Sequence, residues 1–245
     1  MKHVWIVGKR VITQLRHDKR LLGISIVGPL LIMYFLKIFL DALNVAALTA
    51  RYVVPFTAFI VHFLAFLLCA IVLVQERTAG TLERMFIAGF RRGEVIGGYI
   101  VGYFGLATLQ AVVVLTETLW LFQLDYGAVT LFNLFLVIWL LAIVSVLFGI
   151  FISTFARREA HVFPFIPLVI LPEMFLSGMM VDVEKLPVWG QWLGRLSPLH
   201  YANNAVQELI KGDVGLDVIW RDLVILVVYA VVLLVVASRT LPEVE

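Results

Sequence analysis

Six long runs of apolar residues with few charges recur along the chain, over residues 21–40, 53–74, 95–123, 131–155, 162–180 and 223–237. About 20 apolar residues in helical conformation cross the hydrocarbon core of a bilayer, so each run is read as a membrane-spanning helix, the short last one starting slightly earlier. Ahead of span 1 the pattern changes. Residues 1–20 interleave Val4, Trp5, Val7, Val11, Ile12 and Leu15 with six basic side chains, which predicts either an interfacial helix with its cations towards lipid phosphates or no more than a positive-inside anchor. Lys37 in span 1 has Asp41 four residues on, within reach for a structural ion pair.

Two connecting segments carry patterns of their own. In residues 75–94, Thr81 is placed to cap a short helix, Glu83 puts a negative charge in its first turn, Gly89 can end it in a left-handed conformation, and Arg91 with Arg92 suits its negative C-terminal end. Leu82, Met85 and Phe86 then share one face, which a helix this short needs a partner to bury. In residues 181–222, Pro187 and Pro198 bracket a stretch with Trp189, Trp192, Leu193 and Leu196 at helical spacing, and a second helix is expected from Leu199 towards Ile210, ending near Gly212. Both are too short to cross a bilayer, and they are expected on or dipping into the outer leaflet.

Composition agrees with a lipid solvent. Of 245 residues, 62% are hydrophobic against about 45–50% in a soluble domain, and 15% are charged against about 25%. A net charge of +2 offers no strong basic field for nucleic acid. The single cysteine, Cys69, rules out an intrachain disulfide. No small-residue cleavage site follows a short apolar stretch near the start, so residues 1–20 are expected to remain part of the working chain. The reading is an all-α polytopic membrane protein, a single transmembrane domain over residues 1–245.

The distribution of charge orients it. Lys2, Lys9, Arg10, Arg16, Lys19 and Arg20 precede span 1, four arginines fall in residues 75–94, Arg157 and Arg158 lie between spans 4 and 5, and Arg239 follows span 6. The opposite side has Arg51, nothing basic in residues 124–130, and four cations spread over the long external segment, which constrains topology weakly. Both termini are therefore expected in the cytoplasm of a plasma (inner) membrane. Trp120, Trp189, Trp192 and Trp220 then fall at or beyond the outer boundary, where indole rings prefer to sit.

Catalytic patterns are missing. The chain has no phosphate-cradling Gly-x-x-x-x-Gly-Lys-Ser/Thr, no His-Glu-x-x-His and no Gly-x-Ser-x-Gly. Three intramembrane features are candidates for chemistry. Phe56, Phe59, Phe63 and Phe66 form one stripe on span 2 with His62 at its edge, either a packing face or the wall of a passage. Glu173 falls near mid-membrane just after Pro172, where an ionisable side chain is either a functional candidate or an uncharged, hydrogen-bonded side chain packing the bundle. Glu117 near the outer end of span 3 is read as structural. His62 and Glu173 stand as isolated polar positions, too few for an embedded enzyme.

A basic interfacial N-terminal helix, six spans, Glu76-Arg77-x-x-Gly80-Thr81-Leu82-Glu83-Arg84 after span 2, and Leu176-Ser-Gly178 with Leu186-Pro187-x-Trp189 and Ser197-Pro198-Leu-x-Tyr201 after span 5 together resemble the permease subunit of type-2 ABC exporters. The resemblance covers essentially the whole chain. It implies a permease dimer, a homodimer in the simplest case, on two separate ATP-binding cassette subunits that hold ATP and Mg, with no cofactor in this chain. It further implies that Glu76, Gly80, Thr81, Leu82, Glu83, Arg84, Met85 and Phe86 form the coupling element docked on those subunits. Phe56, Phe59, His62, Phe63, Phe66 and Glu173 would line the passage, and Pro187, Trp189, Trp192, Pro198 and Tyr201 would shape an external gate. Met179-Met-Val-Asp182 stands where many members have a proline after Ser-Gly, His200 stands where threonine is frequent, and Glu173 lies in a stretch commonly apolar. The expected function is export of amphiphilic compounds such as drugs, lipids or lipid-linked glycans by alternating access. The alternative is a six-span channel or a secondary carrier without an ATPase, although no inverted repeat relates the two halves.

Overall fold

The computed structural model describes residues 2–43, 49–156, 158–212 and 215–240, and among them there are helices, turns and no strand. Arg157 lies outside the described residues, as do the side chains of Lys2, Arg20 and Arg92. In chain order the helices are α1 (Lys2–His17), α2 (Lys19–Leu43), α3 (Thr49–Thr78), α4 (Thr81–Ile87), α5 (Arg92–Leu121), α6 (Ala128–Ser153), α7 (Leu171–Leu176), α8 (Val188–Arg195), α9 (Pro198–Leu209) and α10 (Leu216–Thr240). Six stretches are long and apolar enough to span a bilayer, within α2, α3, α5, α6, the segment Glu159–Leu176 ending in α7, and α10.

α3 is the centre of the bundle. Of its most apolar window 83% is buried, against 17% for α2 and 11% for α10, so α3 is enclosed by this chain where those two lie at its outside. Its closest neighbour is α6, where Gly149 sits against the Phe66 carbonyl oxygen. A Cβ there would approach that oxygen to 2.6 Å, a clash with backbone that only glycine avoids. Polar side chains bond across helices as well. Thr57 and Thr118 hydroxyls pair at 2.9 Å between α3 and α5, Gln110 Nε2 donates to the Ser25 carbonyl of α2 at 2.9 Å, and Trp139 Nε1 donates to Thr108 Oγ1 at 2.9 Å. In lipid, where apolar faces gain little by leaving the solvent, such bonds and close backbone approaches help choose partners.

α1 is helical as expected, yet one of its faces is committed to protein rather than to lipid phosphates. Val7, Val11 and Leu15, at steps of four, are buried along α5. Val7 and Val11 seat directly over Gly98 and Gly102, where an added Cβ would clash with each valine. Arg10 turns inward to Glu76 Oε2 at 2.5 Å and to Met85 Sδ at 3.3 Å. The opposite face, with Trp5 and Ile6, is exposed and remains available to an interface. Lys37 and Asp41 pair at 3.0 Å, as their spacing requires.

Span 5 departs from a regular helix over residues 162–180. It begins with a 3₁₀ turn at Glu159–His161, widens to a π-helix at Ile166–Ile170 and becomes α-helical only over Leu171–Leu176. Pro164, Pro167 and Pro172 each remove an amide donor, which breaks the α ladder and leaves room for the wider turn. Gly178, at φ +90°, then ends the segment. α8 and α9 follow as the two short helices expected, but α9 is not a surface helix. Leu199, Ala202, Ala205, Val206 and Leu209 are buried in the same core as α3 and α6, so α9 sinks into the bundle.

Candidate functional site

His62 and Glu173, 111 residues apart in sequence, meet in the middle of the bundle. His62 Nε2 lies 3.0 Å from Glu173 Oε2, and His62 Nδ1 lies 2.7 Å from Ser145 Oγ of α6. Ser145 Oγ donates to the Leu141 carbonyl at 2.6 Å, so its single hydrogen is used and Nδ1–H of the imidazole is the donor to Ser145. Ser197, at the N-terminus of α9, donates its hydroxyl to Glu173 Oε1 at 2.8 Å and accepts from the Leu199 amide at 3.2 Å. One proton is therefore held between Nε2 and Oε2, on an imidazolium facing a carboxylate or on a carboxylic acid facing a neutral imidazole. All four side chains are buried.

The two positions that looked isolated in the sequence are thus one cluster that ties α3, α6, α7 and the start of α9. Helical geometry explains the meeting. α3 packs along α6 with His62 between them and span 5, and Glu173 is the one residue of α7 buried in the bundle. Ser145 escaped sequence reading because a lone serine in an apolar run carries no spacing signal. His200 forms a neighbouring polar contact. Its Nδ1–H donates to the Ser177 carbonyl at 3.2 Å and its Nε2 accepts from Asn204 Nδ2 at 3.2 Å. Burial pushes the His200 pKa down, against the smaller opposing pull of the Ser177 carbonyl, and Arg195 lowers it further.

The phenylalanine stripe divides. Phe59 and Phe63 stack with centroids 6.3 Å apart and planes 8° apart, and Phe56 lies 5.9 Å from Phe59. Phe66 turns inward to Phe148 of α6 at 5.4 Å and is fully buried. Of the four, only Phe56 and Phe63 remain partly exposed. With Tyr52, Leu67 and Ile71 they line the one face of α3 that this chain leaves partly open.

At the other end of α3, α4 forms where expected but its capping differs. Gly80, at φ +66°, is the N-cap and Thr81 is the first helical residue, with no side-chain cap. Gly89 takes the left-handed conformation at φ +87°, its amide bonding the Phe86 carbonyl while the Phe90 amide bonds that of Met85. The expected unpartnered apolar face is a correction. Leu82 and Met85 are buried in a cluster with residues of α1, α3 and α5, and Glu76 is buried beneath Arg10. The side turned outward carries Glu83, Arg84 and Ile87, with Ile87 at 82% exposure, and Phe86 is half-buried.

The residues expected to shape a gate play unlike parts. Pro187 caps α8, which packs through Gly190 and Gly194 and leaves Trp189 and Trp192 exposed. Pro198 is buried at the first turn of α9, and Tyr201 donates its hydroxyl to the Arg195 carbonyl at 2.9 Å beside the ring of Tyr229. No group of three or more His, Cys, Asp or Glu side chains suited to a metal ion occurs among the described residues.

Comparison with known proteins places this architecture. The family model described as "ABC-2 type transporter" matches residues 2–210. A probable multidrug ABC transporter permease, YbhR of Escherichia coli K12, is 29% identical over 150 residues, 61% of this chain and 40% of its own length. ABC transporter G family member 20 of Dictyostelium discoideum is 27% identical over 173 residues, 69% of this chain and 23% of its own. The linearmycin resistance permease protein LnrN of Bacillus subtilis is 24% identical over 138 residues, 56% of this chain and 35% of its own. The aligned stretch therefore spans less than half the length of each of these relatives. With a family model covering most of the chain and six apolar helices in the arrangement described, this protein belongs to the ABC-2 type transporter family.

Proposed function

We propose that the chain is the membrane subunit of an ATP-driven exporter of amphiphilic compounds, working as a dimer on two ATP-hydrolysing subunits that bind ATP and Mg. The observation that carries this reading is the continuity of α3. One helix joins the α4 turn to the buried cluster at His62, about 24 Å away at 1.5 Å per residue over residues 62–78. A push on α4 by closing ATPase subunits would tilt that helix and move His62 relative to Glu173, opening the passage to alternate sides. The α4 end is assigned to the cytoplasm with both termini, in a plasma (inner) membrane, by the excess of Lys and Arg there. The partly open face of α3 with Phe56 and Phe63 suits the seam with a second copy. The names of the relatives, a multidrug permease and a linearmycin resistance permease, fit an amphiphilic cargo.

The test is reconstitution with a candidate ATP-binding cassette subunit. Expected are co-purification, ATP hydrolysis that a cargo stimulates, and loss of both with Ile87→Asp on the outward face of α4. Co-purification and coupled transport unaffected by that variant would remove α4 as the coupling element, and a chain that conducts or transports without any ATPase would favour a channel or carrier.

A further inference from the structure

α10 packs on α6 and α9, whereas α7 packs on α8 and α9, and between α10 and span 5 the structure leaves a cleft of about 310 Å³. Phe148 of α6 is part of its lining, and Leu168, Leu193 and Leu196 stand at its rim with 70%, 49% and 70% of their surface exposed. Only 17% of the apolar window of span 5 and 11% of that of α10 is buried within the chain, so the rim opens to the outside of the bundle. The cleft is distinct from the partly open face of α3.

Its polar content is small and one-sided. Glu173, Ser197 and Tyr229 are the polar lining residues. The Ser197 hydrogen goes to Glu173 Oε1, and the Tyr229 hydroxyl points to the Arg195 carbonyl at 3.3 Å. The proton between His62 and Glu173 is engaged on both sides. A carboxyl oxygen has two lone-pair sites, so Oε1 can accept one more hydrogen bond whichever partner holds that proton. The cleft can accept hydrogen bonds and has no free hydrogen to give.

We propose that this cleft is a lateral binding site for a single-chain amphiphile whose head donates hydrogen bonds, an amine or a hydroxyl, with its hydrocarbon chain along Leu168 and Leu196 and its head at Glu173 Oε1. An anionic head would face acceptors alone and be left unpaired in an apolar setting, so alkyl phosphates are excluded and a fatty acid can enter only after taking up a proton, which disfavours it against the amine or the alcohol. The proposal extends the exporter reading, on which it rests for making the occupant a cargo. The binding itself needs no ATPase.

The full-length permease in phosphatidylcholine nanodiscs is photolabelled with diazirine-bearing C12 amine, alcohol and carboxylic acid probes, and adducts are mapped by mass spectrometry. The amine or the alcohol should label residues of α7, α8 and α10 at least fivefold above the acid, with competition by unlabelled dodecylamine or dodecanol, respectively. Which of the two labels more strongly identifies the preferred head. Leu196→Trp, which fills the rim at an exposed position, and Glu173→Leu, which removes the acceptor, should each abolish the preference. Equal labelling by the acid, no adducts in the cleft, or adducts indifferent to Leu196→Trp overturns the proposal. Since no ATPase is present, failure here leaves the exporter reading standing, and loss of coupling at α4 would leave the labelling unchanged.

Discussion

The Arg10 guanidinium donates to the Glu76 carboxylate at 2.5 Å, so the first helix is latched to the last turns of α3 beside the α4 turn. Glu76 is 4% exposed, and Arg10→Ala would leave its charge buried without this partner. Removing one partner of a buried ion pair costs about 3–5 kcal/mol, and less here because Arg10 is itself partly exposed. The thermal midpoint of the purified permease should fall by several degrees, and adding Glu76→Gln should recover much of the loss. An unchanged midpoint in Arg10→Ala would make the latch a surface contact of no consequence.

The two sides of α4 should separate by phenotype. Leu82→Ala removes a buried side chain and should destabilise the permease by about 2–5 kcal/mol. Ile87→Asp, on the exposed side, should leave its thermal midpoint within a degree or two while weakening ATPase co-purification at least tenfold. The reverse assignment, with Leu82→Ala stable and uncoupled, would restore the buried face as the docking surface.

His62→Ala and Glu173→Ala should each destabilise the fold, and the double variant should cost less than their sum. Side chains in one hydrogen-bonded network commonly couple by about 0.5–3 kcal/mol. A thermodynamic cycle on the purified permease measures this directly. Additive effects would mean that the 3.0 Å contact contributes nothing specific.

The packing of α9 should weaken in mild acid. The folded His200 pKa is depressed by burial below its ordinary value near 6.5, so the unfolded segment binds the extra proton first. Its contribution is present above about pH 6.5 and is lost as pH falls towards the depressed folded value. A second proton on Nε2 would also break the bond from Asn204. Hydrogen exchange over α9 should accelerate from pH 7 to pH 5, and His200→Gln should flatten that dependence. Identical pH profiles in the two proteins would assign the change to another group.

Replacing Gly98 or Gly102 with Val should lift α1 off α5, because each added Cβ meets Val7 or Val11. A cysteine at the buried Val11 should then react with a thiol reagent severalfold faster than in the parent, measured in a Cys69→Ala background. Unchanged reactivity would mean that α1 shifts along α5 without leaving it.

Hydropathy by itself located six stretches long and apolar enough to span, the amphipathic helix ahead of them and the two short helices α8 and α9, because a bilayer demands length and apolarity that can be counted along a chain. Turn chemistry was legible at Gly89 and at Pro198, which opens α9 one residue before the expected Leu199. At Thr81 it was off by one residue, since glycine at a left-handed position takes the cap without any side-chain bond. What periodicity could not supply was which face meets which. In lipid an apolar face does not declare its partner, so nothing in α4 distinguished burial against α1, α3 and α5 from burial against another protein. For the same reason the seating of Val7 and Val11 on Gly98 and Gly102 was invisible until α1 lay along α5.

The buried cluster depended still more on tertiary structure. His62, Ser145, Glu173 and Ser197 come from four separate elements, and their meeting follows from the proline-broken path of span 5 and the sinking of α9 into the core. Sequence spacing encodes neighbours along one helix. Contacts across helices require the angle and depth at which the helices cross, and these are decided only when every side chain packs at once.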